Sequence, residues 1–209
     1  MCWNAKVSLN TFLFSLFGTL FAYFNNVIGK FETLYYVSVI SMQLIEYFTW
    51  KNLNNHKINK FLSKVGLFLI FIQVPFFILH LYRITTQTKM LLIIVYLIFA
   101  LLVKLNYPID FSMNEAPNGH LTWNWLNYPI HIIIIWLSFI FGGIFYQKEY
   151  FKFSIYFITI SAIYYTYNKT NTWGSLWCWI VNILALKLIF QVFLNSTPSN
   201  CLLFDKHSI

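Results

Sequence analysis

Three residues of types that bind metals stand far apart in this chain of 209 residues. Cys2 lies near its start, His120 in its longest polar segment, and Cys178 at the beginning of its last apolar run. Thiolate and imidazole groups are ligands that zinc and copper prefer, so the three side chains form a candidate metal site. No close pair such as Cys-x-x-Cys accompanies them. Buried packing of the cysteines and a hydrogen-bonded histidine would explain the same residues without a metal.

A second candidate site centres on Glu46, which lies well inside an apolar run. Gln43 precedes it by three residues, so a helix presents both side chains on one face. A charged group inside a membrane helix costs on the order of 3 kcal/mol, so such a residue indicates a proton or cation site. The alternative is a hydrogen-bonded carboxyl that only ties helices together. With Gln73, Trp123 and Trp177, these two residues form the predicted ligand or proton site.

The composition predicts the elements that must position these residues. Hydrophobic residues make up 59% of the chain and charged residues only 10%, whereas soluble domains carry about a quarter charged residues. The sequence therefore predicts an all-α, polytopic membrane protein whose principal partner is the lipid bilayer. The net charge of +8 comes from basic residues placed singly between apolar runs. That distribution is typical of membrane anchors, so nucleic-acid binding is not expected.

Seven apolar runs predict one domain, residues 1–209, built as a bundle of seven transmembrane helices. The fourth run, Met90–Val103, rises only about 21 Å as a helix, against a hydrocarbon core of about 30 Å. The bundle has six spans if this run does not cross. The predicted spans are residues 7–28, 33–50, 61–82, 88–104, 123–146, 150–167 and 172–194.

Seven spans place the starts of the odd-numbered helices at one membrane surface, here called the N-terminal face. Cys2, His120 and Cys178 fall at this face, and Glu46 lies one turn inside it. Seven of the eight tryptophans also lie near it, Trp136 being the exception. We therefore expect a polar pocket that opens at the N-terminal face. Basic residues divide seven to six between the two faces, which gives no preferred orientation.

A lysine inside the seventh span, Lys187, raises the question of a retinal Schiff base. Such a site needs a carboxylate counter-ion nearby. The third span offers Gln73 and His80 but no acid. Retinal is therefore not expected, and the sequence indicates no other cofactor.

Several short motifs are spread along the chain: Met1 to Ala5, Glu46, Gln73 to Pro75, His120 to Trp123, Asn171, and Trp177 with Cys178. Together they resemble an uncharacterised family of multi-pass membrane proteins from large DNA viruses, protists and bacteria. In this sequence Asn4 stands where the family has serine, and Val74 separates a glutamine and a proline that are adjacent there. The resemblance implies a seven-helix fold and shared residues at the N-terminal face, and it brings no known activity.

Three functional hypotheses follow from these residues. The first is a membrane protein that binds or transports a small molecule or ion, with Glu46 as its protonatable group. The second is a membrane-embedded metal protein or enzyme that uses Cys2, His120 and Cys178. The third is a scaffold whose polar residues only hold helices together. We favour binding over catalysis, and the sequence specifies neither the ligand nor the membrane.

Overall fold

The computed structural model describes residues 4–196, with all side chains in that range except those of residues 176–179 and 196. Its described residues form seven α-helices and one antiparallel pair of strands, so the predicted all-α class is confirmed. The helices are α1 (Ala5–Phe24), α2 (Lys30–Lys51), α3 (His56–His80), α4 (Thr86–Asn106), α5 (Ile130–Tyr146), α6 (Tyr150–Tyr167) and α7 (Trp177–Ser196). Strands β1 (Met113–Glu115) and β2 (Leu121–Trp123) lie between α4 and α5.

Local sequence signals explain where several helices begin and end. The side chain of Asn4 accepts a hydrogen bond from the backbone N–H of Val7 at 2.9 Å, which caps α1 as a serine would. At the other end of α1, Asn26 adopts a left-handed conformation with φ of 58°. The N–H groups of Asn26 and Val27 then bond to carbonyls of the last turn. This pattern is a Schellman motif, and it ends the helix four residues before the predicted boundary.

Four stretches among the described residues are long and apolar enough to cross a bilayer. They are Ala5–Phe24, His56–His80, Thr86–Asn106 and Trp173–Asn195. The short fourth run of the sequence is therefore part of a helix of 21 residues. By contrast, α5 is a shorter apolar helix of 17 residues.

Small and polar residues mediate the close contact between α1 and α7. A methyl group built on Gly18 would lie 3.1 Å from the carbonyl oxygen of Ala185, so the two backbones approach closely. The Asn182 amide donates a hydrogen bond to Thr11 at 3.3 Å, and Ser15 donates one to Asn182 at 3.4 Å. Small residues and side-chain hydrogen bonds of this kind hold helices together in membranes.

The two faces of α1 reverse the pattern of a water-soluble helix. Its buried positions are small or polar, and large apolar side chains such as Phe17 and Phe24 are exposed. Two other helices expose most of their surface, because α4 buries only Tyr96 and α6 buries only Ile160. An apolar exterior over a small and polar interior suits lipid better than water.

The segment before α5 differs from the sequence prediction. The fifth span was expected to start at Trp123, but α5 starts at Ile130. Pro129 precedes it, and a proline restrains the residue before it to extended backbone, so the helix does not extend further back. The preceding residues instead form β2 and a short 3-10 turn, Asn124–Leu126.

Candidate functional site

A β-hairpin, residues 113–123, covers the end of α2 and the start of α3. Its strands pair in the register Met113 with Trp123 and Glu115 with Leu121. The buried side chain of Asn59, on α3, donates a hydrogen bond to the Met113 carbonyl at 2.7 Å and accepts one from its N–H at 2.9 Å. The Thr49 hydroxyl of α2 also lies 3.8 Å from the Met113 sulfur. One residue of β1 is thus fixed to both helices.

Two tryptophans continue the hairpin into the bundle. Trp123 and Trp125 are buried and stack with their ring centroids 5.1 Å apart. Each packs against a glycine that leaves room for it. A methyl group on Gly66 would lie 3.0 Å from the Trp125 ring, and one on Gly174 would lie 2.6 Å from the Trp123 ring. The tryptophan pair therefore joins α3 to the segment that leads into α7.

Glu46 and Gln43, which lie about one turn apart on α2, have no solvent-exposed surface, each at 0%. The indole N–H of Trp123 interacts with the Glu46 carboxyl, although the geometry is looser than that of a strict hydrogen bond. An indole N–H can only donate a hydrogen bond, so a carboxyl oxygen of Glu46 must be the acceptor in this contact. The structure thus brings together three of the five residues predicted for the ligand or proton site.

His120 lies in the turn of the same hairpin, toward the connection between α6 and α7. It is 6% exposed, and its ring meets the Tyr167 ring edge to face at 6.3 Å. The neighbouring Asn118 amide donates hydrogen bonds to the hydroxyls of Thr170 at 3.2 Å and Thr172 at 2.9 Å. Burial lowers the pKa of the His120 imidazole, because a charged ring would lose hydration there.

Gln73 lies apart from Glu46. Its amide faces the carbonyl oxygen of Ser38 at 3.5 Å, and Ser38 precedes Glu46 by eight residues on α2, or about 12 Å along the helix. Ser38, Met42 and Glu46 are spaced by four residues, so they share one face of α2. The predicted residues thus occupy two levels of the interface between α2 and α3.

The other predicted site residues fall outside the described side chains. Cys2, Trp177 and Cys178 belong to this group, so the distance between the two cysteines remains a prediction. Among the side chains that the structure describes, no cluster of three or more histidine, cysteine or acidic residues could hold a metal ion.

Sequence reasoning missed the residues that seat the hairpin. Asn59 is one of several asparagines near a loop, and nothing in its spacing marks it as the anchor of a strand. Gly66 and Gly174 gave no signal either, because the need for a glycine arises only once a tryptophan packs against it. Trp125 was expected near the N-terminal face, but its packing partner was not.

Comparison with models of known protein families, with curated proteins and with solved structures gives no match for this chain. The resemblance described above therefore remains a prediction.

Proposed function

We propose that this chain is an integral membrane protein in which all seven helices cross the bilayer, and that it conducts protons along the interface between α2 and α3. Glu46 is the proton-binding group near the N-terminal face. The observation that carries the proposal is a buried row of polar side chains on these two helices.

The way the helices connect supports the crossing of α2, which is not one of the four apolar stretches. Four stretches have the length and hydropathy of membrane spans. The helix α2 packs extensively against both α1 and α3, which are two of those four. Only five residues join α1 to α2, and only four join α2 to α3. These short connections make α2 antiparallel to its neighbours, so it crosses with them.

Buried polar side chains recur at several levels of α2 and α3. Thr49, Glu46, Gln43 and Ser38 are buried on α2, and Ser63 and Gln73 are buried on α3. At the opposite face, His80 of α3 lies 3.7 Å from Glu32 of α2. Side chains of this kind inside a bundle mark proton and ion pathways in membrane proteins. The proposal requires water molecules to bridge these levels during conduction.

The hairpin supplies a cover for the N-terminal end of this row. Glu46 lies close to Trp123, the last residue of the hairpin. A proton enters Glu46 when the hairpin shifts, because the native position leaves the carboxyl without exposed surface.

Proton uptake into proteoliposomes tests the proposal. The vesicles contain a pH-sensitive dye, and a potassium diffusion potential set with valinomycin drives protons inward. We expect uptake above that of protein-free vesicles, and we expect Glu46→Gln to reduce it to the protein-free rate. Glutamine keeps the shape of the side chain but cannot bind the proton.

Two further variants complete the design. Ser138→Ala changes an exposed residue of α5 whose hydroxyl bonds to its own helix, so uptake should stay at the wild-type rate. Gln73→Leu interrupts the polar row and should slow uptake at least tenfold. Equal uptake by wild type and folded Glu46→Gln would contradict the proposal. Uptake no faster than in protein-free vesicles would contradict it too, and would leave the scaffold role.

A further inference from the structure

A groove of about 480 Å³ lies between α3, α4 and α5, on a part of the protein that the polar row does not use. Its walls are apolar and aromatic, with Phe71, Leu97 and Trp136 among them. The groove exists because α4 buries only one residue, Tyr96, against the rest of the bundle. In a membrane such a groove is filled by apolar chains and not by water.

Two lysines line the groove on its side toward the N-terminal face. Lys104 stands in the last turn of α4, and Lys64 lies about 12 Å along α3 from the start of that helix. The Lys64 ammonium group lies 5.6 Å from the centre of the Phe111 ring. The ion pairs found among the described residues join Glu32 to His80 and Glu149 to Lys152, so neither groove lysine takes part in one.

Positive charge at the mouth and an apolar interior match one class of ligand. We infer that this groove binds an anionic phospholipid, with one acyl chain along α4 and the phosphate at Lys64 and Lys104. The inference rests on the proposed membrane placement. Long lysine side chains reach the headgroup level from within a span, which places their ammonium groups beside lipid phosphates.

The depth of the groove fits this occupant. Tyr96 lies eight residues before Lys104, so the groove runs about 12 Å from the lysine level toward the middle of α4. Ala100 stands between these two levels and lines the groove with a single methyl group. A tryptophan at that position would fill the space that the acyl chain takes.

Thermal unfolding in detergent micelles tests the inference. Phosphatidylglycerol is compared with phosphatidylcholine of the same acyl chains and with soluble glycerol phosphate. We expect phosphatidylglycerol alone to raise the Tm of the wild type by several degrees. Lys64→Gln with Lys104→Gln should lose most of this increase, and Ala100→Trp should lose it too.

A matched control removes the same charge from the same membrane face. Lys57→Gln with Lys60→Gln alters two exposed lysines of α3 that do not line the groove, and the increase in Tm should persist. An equal loss in this control would overturn the inference, because general charge attraction would then explain the effect. An equal increase with phosphatidylcholine or with glycerol phosphate would overturn it as well.

Photo-crosslinking gives a second readout that does not depend on stability. Phosphatidylglycerol with a diazirine in its acyl chain should label peptides that contain Leu97 or Trp136. Labelling confined to other peptides would overturn the inference. Proton uptake is measured separately and should be unchanged in Lys64→Gln with Lys104→Gln, so either proposal can fail while the other stands.

Discussion

The side-chain amide of Asn59 bonds to both backbone groups of Met113, as donor at 2.7 Å and as acceptor at 2.9 Å. An asparagine amide mimics a neighbouring strand in this arrangement, because it offers one donor and one acceptor side by side. Asn59, in the first turn of α3, thus takes the place of a neighbouring strand at the edge of β1 that does not pair with β2. This contact places the hairpin over Glu46.

Replacing Asn59 should release the hairpin. In Asn59→Ala the buried N–H and carbonyl of Met113 lose their partners, which should cost about 1–3 kcal/mol of unfolding free energy. Hydrogen exchange of residues 113–123 should become faster while that of α1 stays the same. Asn127→Ala, at an exposed position, is the matched control. Unchanged exchange in the hairpin of Asn59→Ala would show that other contacts seat it.

Gly174 should tolerate no side chain. In Gly174→Ala the new methyl group would lie 2.6 Å from the Trp123 ring, so the ring or the segment must move, which typically costs about 1–3 kcal/mol. Gly142→Ala serves as the comparison, because no atom beyond the adjacent residues and backbone of α5 lies within 4 Å of the methyl group it adds. Alanine is the better helix former there by about 1 kcal/mol. The two variants should therefore change the Tm in opposite directions, and equal changes would contradict the packing.

The Tyr96 hydroxyl replaces a backbone hydrogen bond that α3 lacks at Pro75. Within α3 the Phe71 carbonyl would accept from the residue four positions later, but that residue is Pro75, which has no N–H. The Tyr96 hydroxyl donates to this carbonyl at 3.0 Å instead. Tyr96→Phe should therefore cost about 1–3 kcal/mol in the wild type and much less in a Pro75→Ala background.

A double-mutant cycle measures the coupling free energy between Tyr96 and Pro75, from the unfolding free energies of the four proteins in detergent. Tyr165→Phe is the control, since its side chain on α6 is 89% exposed. An equal cost of Tyr96→Phe in both backgrounds would mean that the hydroxyl does not compensate for the proline.

The stability of the hairpin should fall in mild acid because of His120. Its pKa is lowered by burial from an ordinary value of 6.5, so the unfolded chain binds that proton more readily than the folded one. The neutral His120 ring contributes fully to the free energy of unfolding above about pH 6.5, and this contribution is lost as the pH decreases below that value. The Tm should therefore decrease less in His120→Gln than in the wild type between about pH 7.5 and pH 5.

The control for this prediction is His131→Gln, which removes an exposed histidine of α5 bonded to Tyr107. It should keep the wild-type dependence on pH. If His120→Gln shows the same dependence as the wild type, another group causes the loss of stability.

Hydropathy predicted the helices well because each apolar run is long and the polar segments between them are short. The all-α class and the end of α6 at Tyr167 follow from this pattern. The hairpin could not be predicted, since its strands have three residues each and depend on Asn59, which lies 54 positions from Met113. Long-range partners of this kind leave no periodic signal.

The candidate site was predicted in part for the same reason. Gln43 and Glu46 lie three positions apart on one helix, so their shared face follows from helical geometry. Trp123 was expected at the same membrane level, and the structure places it against Glu46. Gln73 was grouped with them by type, but the pairing of α2 with α3 sets it at the level of Ser38.

The measurement that tests the central claim most directly is the labelling of single cysteines from one side of sealed vesicles. Cys2, Cys178 and Cys201 are first replaced by alanine. One exposed position in each of six connections is then changed to cysteine and treated with a membrane-impermeant maleimide. The positions are Gly29, Asn54, Arg83, Glu115, Lys148 and Lys169.

Seven crossings predict strict alternation along the chain. Asn54→Cys, Glu115→Cys and Lys169→Cys should react from one side of the membrane. The other three should react only from the opposite side, after the vesicles are opened. Labelling of all six positions from the same side would contradict the account, as would release of the protein from the membrane by alkaline carbonate.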